Sequence, residues 1–323
     1  MIRTIYRSGK GGMTTDVPEA HWKVALHDVG GLFWIDLADE PPQRVRKLLA
    51  DIFHFHPLAI EGALEKASTP KVDDWGDYVY IVVHSVTFDT QSSSLETHEI
   101  DAFLGKNFLV THHKNPMASA DHVWKTAQRN DLVLARGADY LLYNIMDTLA
   151  AGYMPVVDEL DDAIDQMEDA IFEDTTRTLL NNIFSVKRAV LHLRRIIIPQ
   201  REVMNRLARD TYTVVDPAER VYFRDVYDHY VRLADVNDTL RDLVSGALDT
   251  YLSVSANRTN EIMKVLTIFT ALFMPISFLS GFFGMNFEFL PFDSVIAFIG
   301  MLAATVGAPV AMLLWFRKQG WMG

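Results

Sequence analysis

The chain has 323 residues, a formal net charge of -12, and no cysteine. A large acidic surface disfavours nucleic-acid binding, which needs a positive face, and is compatible with gathering cations. Without cysteine there is no disulfide framework, thiolate metal site or iron–sulfur cluster.

Residues 1–135 read as a mixed α/β unit. Residues 1–10 hold no apolar core long enough for a signal peptide, so the soluble body is expected to stay on the side where it is made. The run Gly9-Lys10-Gly11-Gly12 lacks the spacing and the following Ser or Thr of a phosphate loop. Residues 32–37 (LFWIDL) read as a strand, 43–53 and 57–66 as short helices. Residues 78–88 (YVYIVVHSVTF) are rich in β-branched and aromatic side chains and give the clearest strand signal. Residues 99–104 and 107–112 read as two strands joined at Gly105-Lys106. His54 and His56 could share a metal only on a strand, and Pro57 argues for a helix end there instead. His112-His113 reads as a turn pair without an obvious third ligand.

From Gly137 the pattern changes to long helices. Residues 138–172 form one acidic amphipathic stretch, and the acidic run Asp158 to Asp174 reads first as a solvated face. Residues 175–207 form a basic return helix with Lys187, Arg188, Arg194 and Arg195. The two predict an antiparallel hairpin laced by opposite charges, with a kink at Pro199. Residues 210–217 are a break, and Asp216-Pro217 is a good helix start. Residues 218–283 then read as one helix of some 65 residues, roughly 100 Å long. A helix of that length must pack against the body or against copies of itself.

Two uncharged runs of 23 residues each, 265–287 and 294–316, close the chain. Each makes a helix of about 35 Å, which matches the ~30 Å apolar thickness of a bilayer. Arg258 and Lys264 precede the first run and Arg317 and Lys318 follow the second, whereas the connecting loop carries only Glu288 and Asp293. The positive-inside rule puts both termini in the cytoplasm and the loop outside. The domains are therefore expected at 1–135 (α/β), 136–216 (helical hairpin), 217–264 (stalk helix), 265–285 (inner span), 286–293 (loop), 294–316 (outer span) and 317–323 (tail).

Asn260, Met263, Thr267, Thr270, Met274, Ser277 and Gly281 alternate in steps of three and four, which places them on one helix stripe. Small and polar residues in a span mark either helix packing or a water-filled axis. A path of neutral oxygens holds a hydrated cation loosely enough to release it. Asn286, just past Gly284, would present a ring of side-chain carbonyls at the mouth of such an axis, which suits the reluctantly dehydrated magnesium ion. Glu288 and Asp293 would raise the local cation concentration. Two helices cannot easily enclose a pathway alone, so a pore needs several subunits around an axis. A tethered domain, sensor or scaffold that conducts nothing is the rival reading. No Ser/His/Asp or paired-carboxylate constellation points to an enzyme.

Gly284-Met285-Asn286, continued by Phe287-Glu288-Phe289-Leu290-Pro291 at the end of the first of two C-terminal spans, resembles the signature of the CorA family of magnesium and cobalt transport proteins, in the two-span GxN superfamily. Residues 251–253, 257–267, 222–229, 56–61, 70–72 and 136–142 are also family-like, so the resemblance covers nearly the whole chain. It implies an α+β/α membrane protein, a homopentamer in the cell inner membrane surrounded by lipid, with no obligate protein partner. Each subunit would have a cytoplasmic α/β funnel domain and a long stalk helix continuing into the first of two transmembrane helices. Gly284, Met285 and Asn286 would form the selectivity filter. Asn260, Met263, Leu266, Met274, Ser277 and Gly281 would line the pore, with a serine at 277 where some relatives carry threonine. Mg2+ would be both substrate and regulatory ligand, with Co2+ or Zn2+ as further candidate substrates. A zinc transporter of the same superfamily, proton-coupled or not, is the alternative.

The resemblance also implies cytoplasmic regulatory carboxylates at Asp249 and Asp225, with Glu61 or Glu65 as the candidate substitute for a partner aspartate that the family carries next to Glu61. The aspartate expected after Glu61 is Gly62 here. Two facing carboxylates repel until a cation relieves them, so losing one predicts weaker or relocated magnesium gating. The basic tail, Arg317-Lys318, is shorter than in many relatives.

Overall fold

The computed structural model describes residues 1–65, 69–90, 92–173, 175–285 and 294–321. By its contacts the chain divides into two units, Met1–Leu248 and Asp249–Gly323.

The first unit is built on a seven-stranded mixed sheet. In chain order the strands are β1 (Ile2–Arg7), β2 (Met13–Thr15), β3 (Leu32–Ala38), β4 (Lys71–Asp74), β5 (Tyr78–Asp89), β6 (Ser94–Gly105) and β7 (Phe108–His113). They lie in the order β2-β1-β3-β7-β6-β5-β4. Only β3 and β7 among neighbours run parallel; the other pairs are antiparallel. The Gly9–Gly12 run makes the β1–β2 turn: the Ser8 N–H donates to the Gly12 carbonyl, and Gly11 and Gly12 take the positive φ that glycine tolerates.

Strand alternation sends successive side chains to opposite faces. On one face Phe33, Ile35, Leu37, Tyr80, Val82, Phe103 and Val110 form a core with Val45, Leu48 and Leu49 of α2 (Pro42–Asp51) and Ala59, Ile60 and Ala63 of α3 (Pro57–Leu64), beside α1 (Trp22–His27). Pro42 and Pro57 start these helices where a missing N–H costs nothing. On the other face Trp34 meets Trp124 of α4 (Ala118–Arg129), with ring centroids 4.8 Å apart. Then follow α5 (Asp131–Ala135), α6 (Ala138–Ala151), α7 (Tyr153–Glu173), α8 (Arg177–Arg209) and α9 (Arg220–Phe283).

The predicted helix over 138–172 is two helices, α6 and α7, meeting at Gly152. The hairpin of α7 and α8 is apolar rather than ionic. Leu160, Ile164, Met167 and Ile171 are buried on α7, and Ile183, Val186, Val190 and Leu193 on α8. Among the described residues Asp158, Glu159, Asp161, Asp162, Asp165, Glu168 and Asp169 make no ion pair, and Arg194 reaches Asp238 of α9 instead, at 3.5 Å. Helix α8 runs through Pro199 without a break.

Strand β4 starts at Lys71, opposite Val82, so among the described residues no strand pairs with the backbone of His84 on that side. Gln200 of α8 takes its place. The His84 N–H donates to Gln200 Oε1 (2.9 Å), and Gln200 Nε2 donates to the His84 carbonyl (3.1 Å) and to the Tyr230 hydroxyl of α9. Tyr153 Oη of α7 donates to the same carbonyl at 2.6 Å. Buried backbone groups require such partners, and these four residues tie the sheet to three helices.

Candidate cation pathway and regulatory cluster

The second unit holds the C-terminal part of α9 and α10 (Val295–Lys318), both long and apolar enough to span a bilayer. Ser294 caps α10, its Oγ accepting from the Ala297 N–H at 3.4 Å. Ile268, Ala271, Leu272, Pro275, Ile276 and Leu279 of α9 are half-buried, whereas Asn260, Met263, Leu266, Thr267, Thr270, Met274, Ser277 and Gly281 are exposed. A second uncovered row, Ile262, Phe269 and Phe273, is wholly apolar. The oxygen-bearing stripe is thus uncovered and chemically distinct from that row.

Two of its hydroxyls are spent inward. Thr267 Oγ1 donates to the Met263 carbonyl (2.7 Å) and Thr270 Oγ1 to the Leu266 carbonyl (2.8 Å). Their remaining lone pairs point away from the backbone as acceptors, which suits the protons of an ion's water shell. Pro275 has no N–H to donate, so the Ala271 carbonyl loses its usual helical partner. Leu266, Thr270, Ala271, Met274 and Pro275 line a groove of about 410 Å³ closed on one side by Met312 of α10.

The stripe ends at Gly281, and α9 stops at Phe283. The Gly284 N–H donates to the Ser280 carbonyl (3.0 Å) and the Met285 N–H to the Phe282 carbonyl (3.2 Å). A Cβ on Gly284 would stand 3.0 Å from the Ser280 carbonyl oxygen, so glycine lets the turn close. Asn286, Glu288 and Asp293 lie outside the described residues.

In the first unit, Asp225 and His229 stand one turn apart on α9 and face Asp147 of α6. Ligand atoms of the three lie within 4.8 Å of one another, with His229 Nδ1 3.7 Å from Asp147 Oδ1. Burial raises the Asp147 carboxyl above its usual range; His229 opposes this and Asp225 adds to it. Burial and the charges of Asp147 and Asp225 push the neighbouring Tyr143 phenol up to about 12. The helices are registered upstream. One Arg136 nitrogen, Nη2, donates to both Glu219 carboxylate oxygens (2.8 Å each) while the guanidinium stacks on Tyr140 and Tyr222, and Asp139 Oδ2 accepts from the Asp216 N–H at 2.9 Å. Two carboxylates and an imidazole at this spacing fit one divalent ion. The oxygens suit Mg2+ through its waters, and the imidazole suits Co2+ or Zn2+ directly.

Of the regulatory residues expected from sequence, Asp225 belongs to this cluster. Glu61 is exposed on α3 and is not a member, and Asp249 is exposed on α9 in the second unit. Asp147 and His229 were not anticipated. The Asp225–His229 spacing of four was legible, but Asp147 becomes a neighbour only once α6 packs on α9. At Gly62 an added Cβ would stand 3.2 Å from Tyr80 Cε1 and Oη, and that hydroxyl donates to buried Asp101 at 2.7 Å. A side chain at 62 therefore needs Tyr80 to give by a few tenths of an ångström.

The histidine pairs serve the fold. His56 caps α3, its Nδ1 accepting from the Leu58 N–H at 3.2 Å, and stacks on Trp75. His54 Nδ1 contacts the Ala50 carbonyl at 3.1 Å. His112 and His113 are not a turn pair but adjacent on β7, so they face opposite sides of the sheet. His112 Nδ1 meets Asp101 Oδ2 at 3.1 Å and His113 Nε2 meets Asp36 Oδ1 at 3.2 Å. Burial raises the Asp101 carboxyl to about 6, with His112 opposing and Glu99 adding. Burial would raise Asp36 too, but His113, Arg3 and Thr111 outweigh it and hold the carboxyl low.

A mixed α/β body followed by two apolar C-terminal helices, with one oxygen-lined stripe on the first, defines a multi-pass membrane protein of the metal-ion transporter class. The family model of CorA-like Mg2+ transporter proteins matches residues 29–318. The cobalt/magnesium transport protein CorA of Thermotoga maritima is 34% identical over 96% of this chain and 88% of its own length. YfjQ of Bacillus subtilis is 35% identical over 90% of this chain and 89% of its own. The complete structure of the CorA magnesium transporter of Methanocaldococcus jannaschii superposes with a TM-score of 0.83, covering 99% of this chain and 98% of that one at 22% identity. The chain belongs to the CorA family of Mg2+ transporter proteins, which are transporters rather than enzymes.

Proposed function

We propose that the chain assembles as a homopentamer in the cell membrane, both termini in the cytoplasm, and conducts Mg2+, with Co2+ as a second substrate, down its electrochemical gradient. The observation that carries this reading is the uncovered α9 stripe whose back-bonded threonines offer acceptor oxygens. Five copies would turn these stripes inward around a water-filled axis, with Gly284-Met285-Asn286 at its outer mouth. The carbonyl of Asn286 would meet the ion's water shell, and Glu288 and Asp293 would concentrate cations there. The stripe offers no imidazole or thiolate to favour Zn2+ as cargo.

Gating by cytoplasmic divalent ions would act at Asp147, Asp225 and His229, with Asp249 and Glu61 contributing from other surfaces. Without an ion the two carboxylates repel; with one they hold α6 to α9 and so fix the long helix. This is the relocation that Gly62 calls for. The test is Mg2+ entry into proteoliposomes containing Asn286→Ala. Loss of flux from a protein that still assembles supports the reading, and unchanged flux removes Asn286 from the path.

A further inference from the structure

Helix α9 lies on the first unit along one buried stripe. Tyr230, Leu233, Asn237, Leu240, Val244 and Ala247 recur in alternating steps of three and four, and all are buried. Asn237 interrupts an apolar run. Leu233 and Leu240 flank it one turn away on either side, and their side chains have nothing to donate or accept. Asn237 is 1% exposed, and neither its Oδ1 nor its Nδ2 has a hydrogen-bond partner among the described residues.

Among the described residues the buried side-chain amides are Gln200 and Asn237, and they contrast. Gln200 accepts from the His84 N–H and donates to the His84 carbonyl and to the Tyr230 hydroxyl. It ties α9 to α8 at Tyr230, where the Tyr153 ring of α7 also meets the Tyr230 ring edge-on at 5.6 Å. Phe223 and Val226, further upstream on the same stripe, are wholly buried. Asn237 stands one heptad beyond Tyr230 on the same face, and its amide makes no such tie. Asp238 beside it reaches Arg194 of α8 at 3.5 Å, but both side chains are about two-fifths exposed, so water and salt weaken the pair.

A carboxamide buried without partners raises the free energy of the packing that buries it, and an arrangement that returns it to water removes that cost. We infer that Asn237 is a release point: the part of α9 from Asn237 to Leu248 leaves its seat on the first unit in a local opening, while Phe223 to Tyr230 stay docked. The amide sets how often this happens, because it destabilises the seated state alone. The long helix thereby has a place at which its C-terminal part moves against a fixed N-terminal part. The opening belongs to the first unit and does not depend on conduction.

Hydrogen–deuterium exchange of the full chain in detergent, read by mass spectrometry on peptides of α9, tests this with Asn237→Leu and Asn237→Ala. In the wild type, peptides covering 237–248 should exchange faster than those covering 222–230. Asn237→Leu should slow the 237–248 peptides about tenfold, the factor that corresponds to one unmade buried hydrogen bond. Leucine is larger than asparagine and can overpack the site; Asn237→Ala removes the amide without adding volume and covers that case. Faster wild-type exchange of 237–248, slowed in either variant, supports the release point. Equal exchange of the two segments in the wild type, or exchange of 237–248 that neither variant slows, overturns it.

Discussion

The two units of this chain solve the problem of polar and apolar groups in opposite ways. In Met1–Leu248 the large side chains are inside: Trp34, Tyr80, Phe33 and Phe103 are fully buried, and buried backbone such as that of His84 is met by Gln200 and Tyr153. In Asp249–Gly323 they are outside, with Phe273, Phe278, Ile299 and Leu314 uncovered and threonine hydroxyls folded back on their own helix. A water-soluble fold gains most of its stability by removing apolar area from water. The second unit leaves that area to lipid. The first is specified by its own contacts, the second by the medium around it.

The largest expected effect concerns the internal polar network of the first unit. Gln200→Leu would leave the His84 N–H buried without an acceptor and remove one donor to its carbonyl. A loss of about 3–4 kcal/mol is expected, since an unmade buried hydrogen bond costs more than a made one gains. Denaturant unfolding in detergent measures it. A change below about 1 kcal/mol would mean that water reaches this strand and that the unit is not closed.

Exposure alone should then mislead. Val221 of the first unit is 59% exposed and Val306 of the second 56%. Val221→Lys should stay within about 0.5 kcal/mol of wild type. Val306→Lys, near the middle of α10, should cost about 3 kcal/mol of membrane insertion. Insertion assays on the two variants make the comparison, and equal outcomes would mean that α10 does not face lipid.

A smaller shift is expected at the cation cluster. Asp147→Asn with Asp225→Asn should weaken Co2+ binding to the full chain about tenfold, or 1.4 kcal/mol. Protons compete for the same oxygens. Because the Asp147 carboxyl is raised above its usual range, its protonated fraction grows early on acidification, and wild-type affinity should fall as pH falls. The double variant should lose the carboxylate contribution to this pH dependence. Cobalt absorbance titrations at several pH values check both, and unchanged midpoints would remove the cluster from regulation.

Much of this molecule was legible in its sequence because its signals are local. The strand 78–88 announces itself by β-branched and aromatic density, the spans by uncharged length, and the exposed stripe of α9 by spacing within one helix. What failed to show depends on distant partners. Strand β1, Ile2–Arg7, is short and ends in arginine, and becomes a strand by pairing with β3. The break at Gly152 carries too weak a signal to split 138–172. His112 and His113 read as a turn pair, yet strand alternation separates them onto Asp101 and Asp36. Charge misled at α7 and α8, where an exposed acidic face looked like half of an ion-paired hairpin. The cluster of Asp147, Asp225 and His229 was half legible, with Asp225 singled out, His229 one turn on, and Asp147 supplied by a helix many residues earlier.

The central claim is that five copies of the α9 stripe form a conduction path for hydrated Mg2+. The most direct test is to reconstitute the full chain in liposomes and measure Mg2+, Co2+ and Zn2+ entry while pH and voltage are varied separately. Mg2+ entry that follows its own gradient and the membrane potential, with no requirement for a proton gradient, is the predicted result. Zn2+ entry that needs a proton gradient, with Mg2+ excluded, would contradict it.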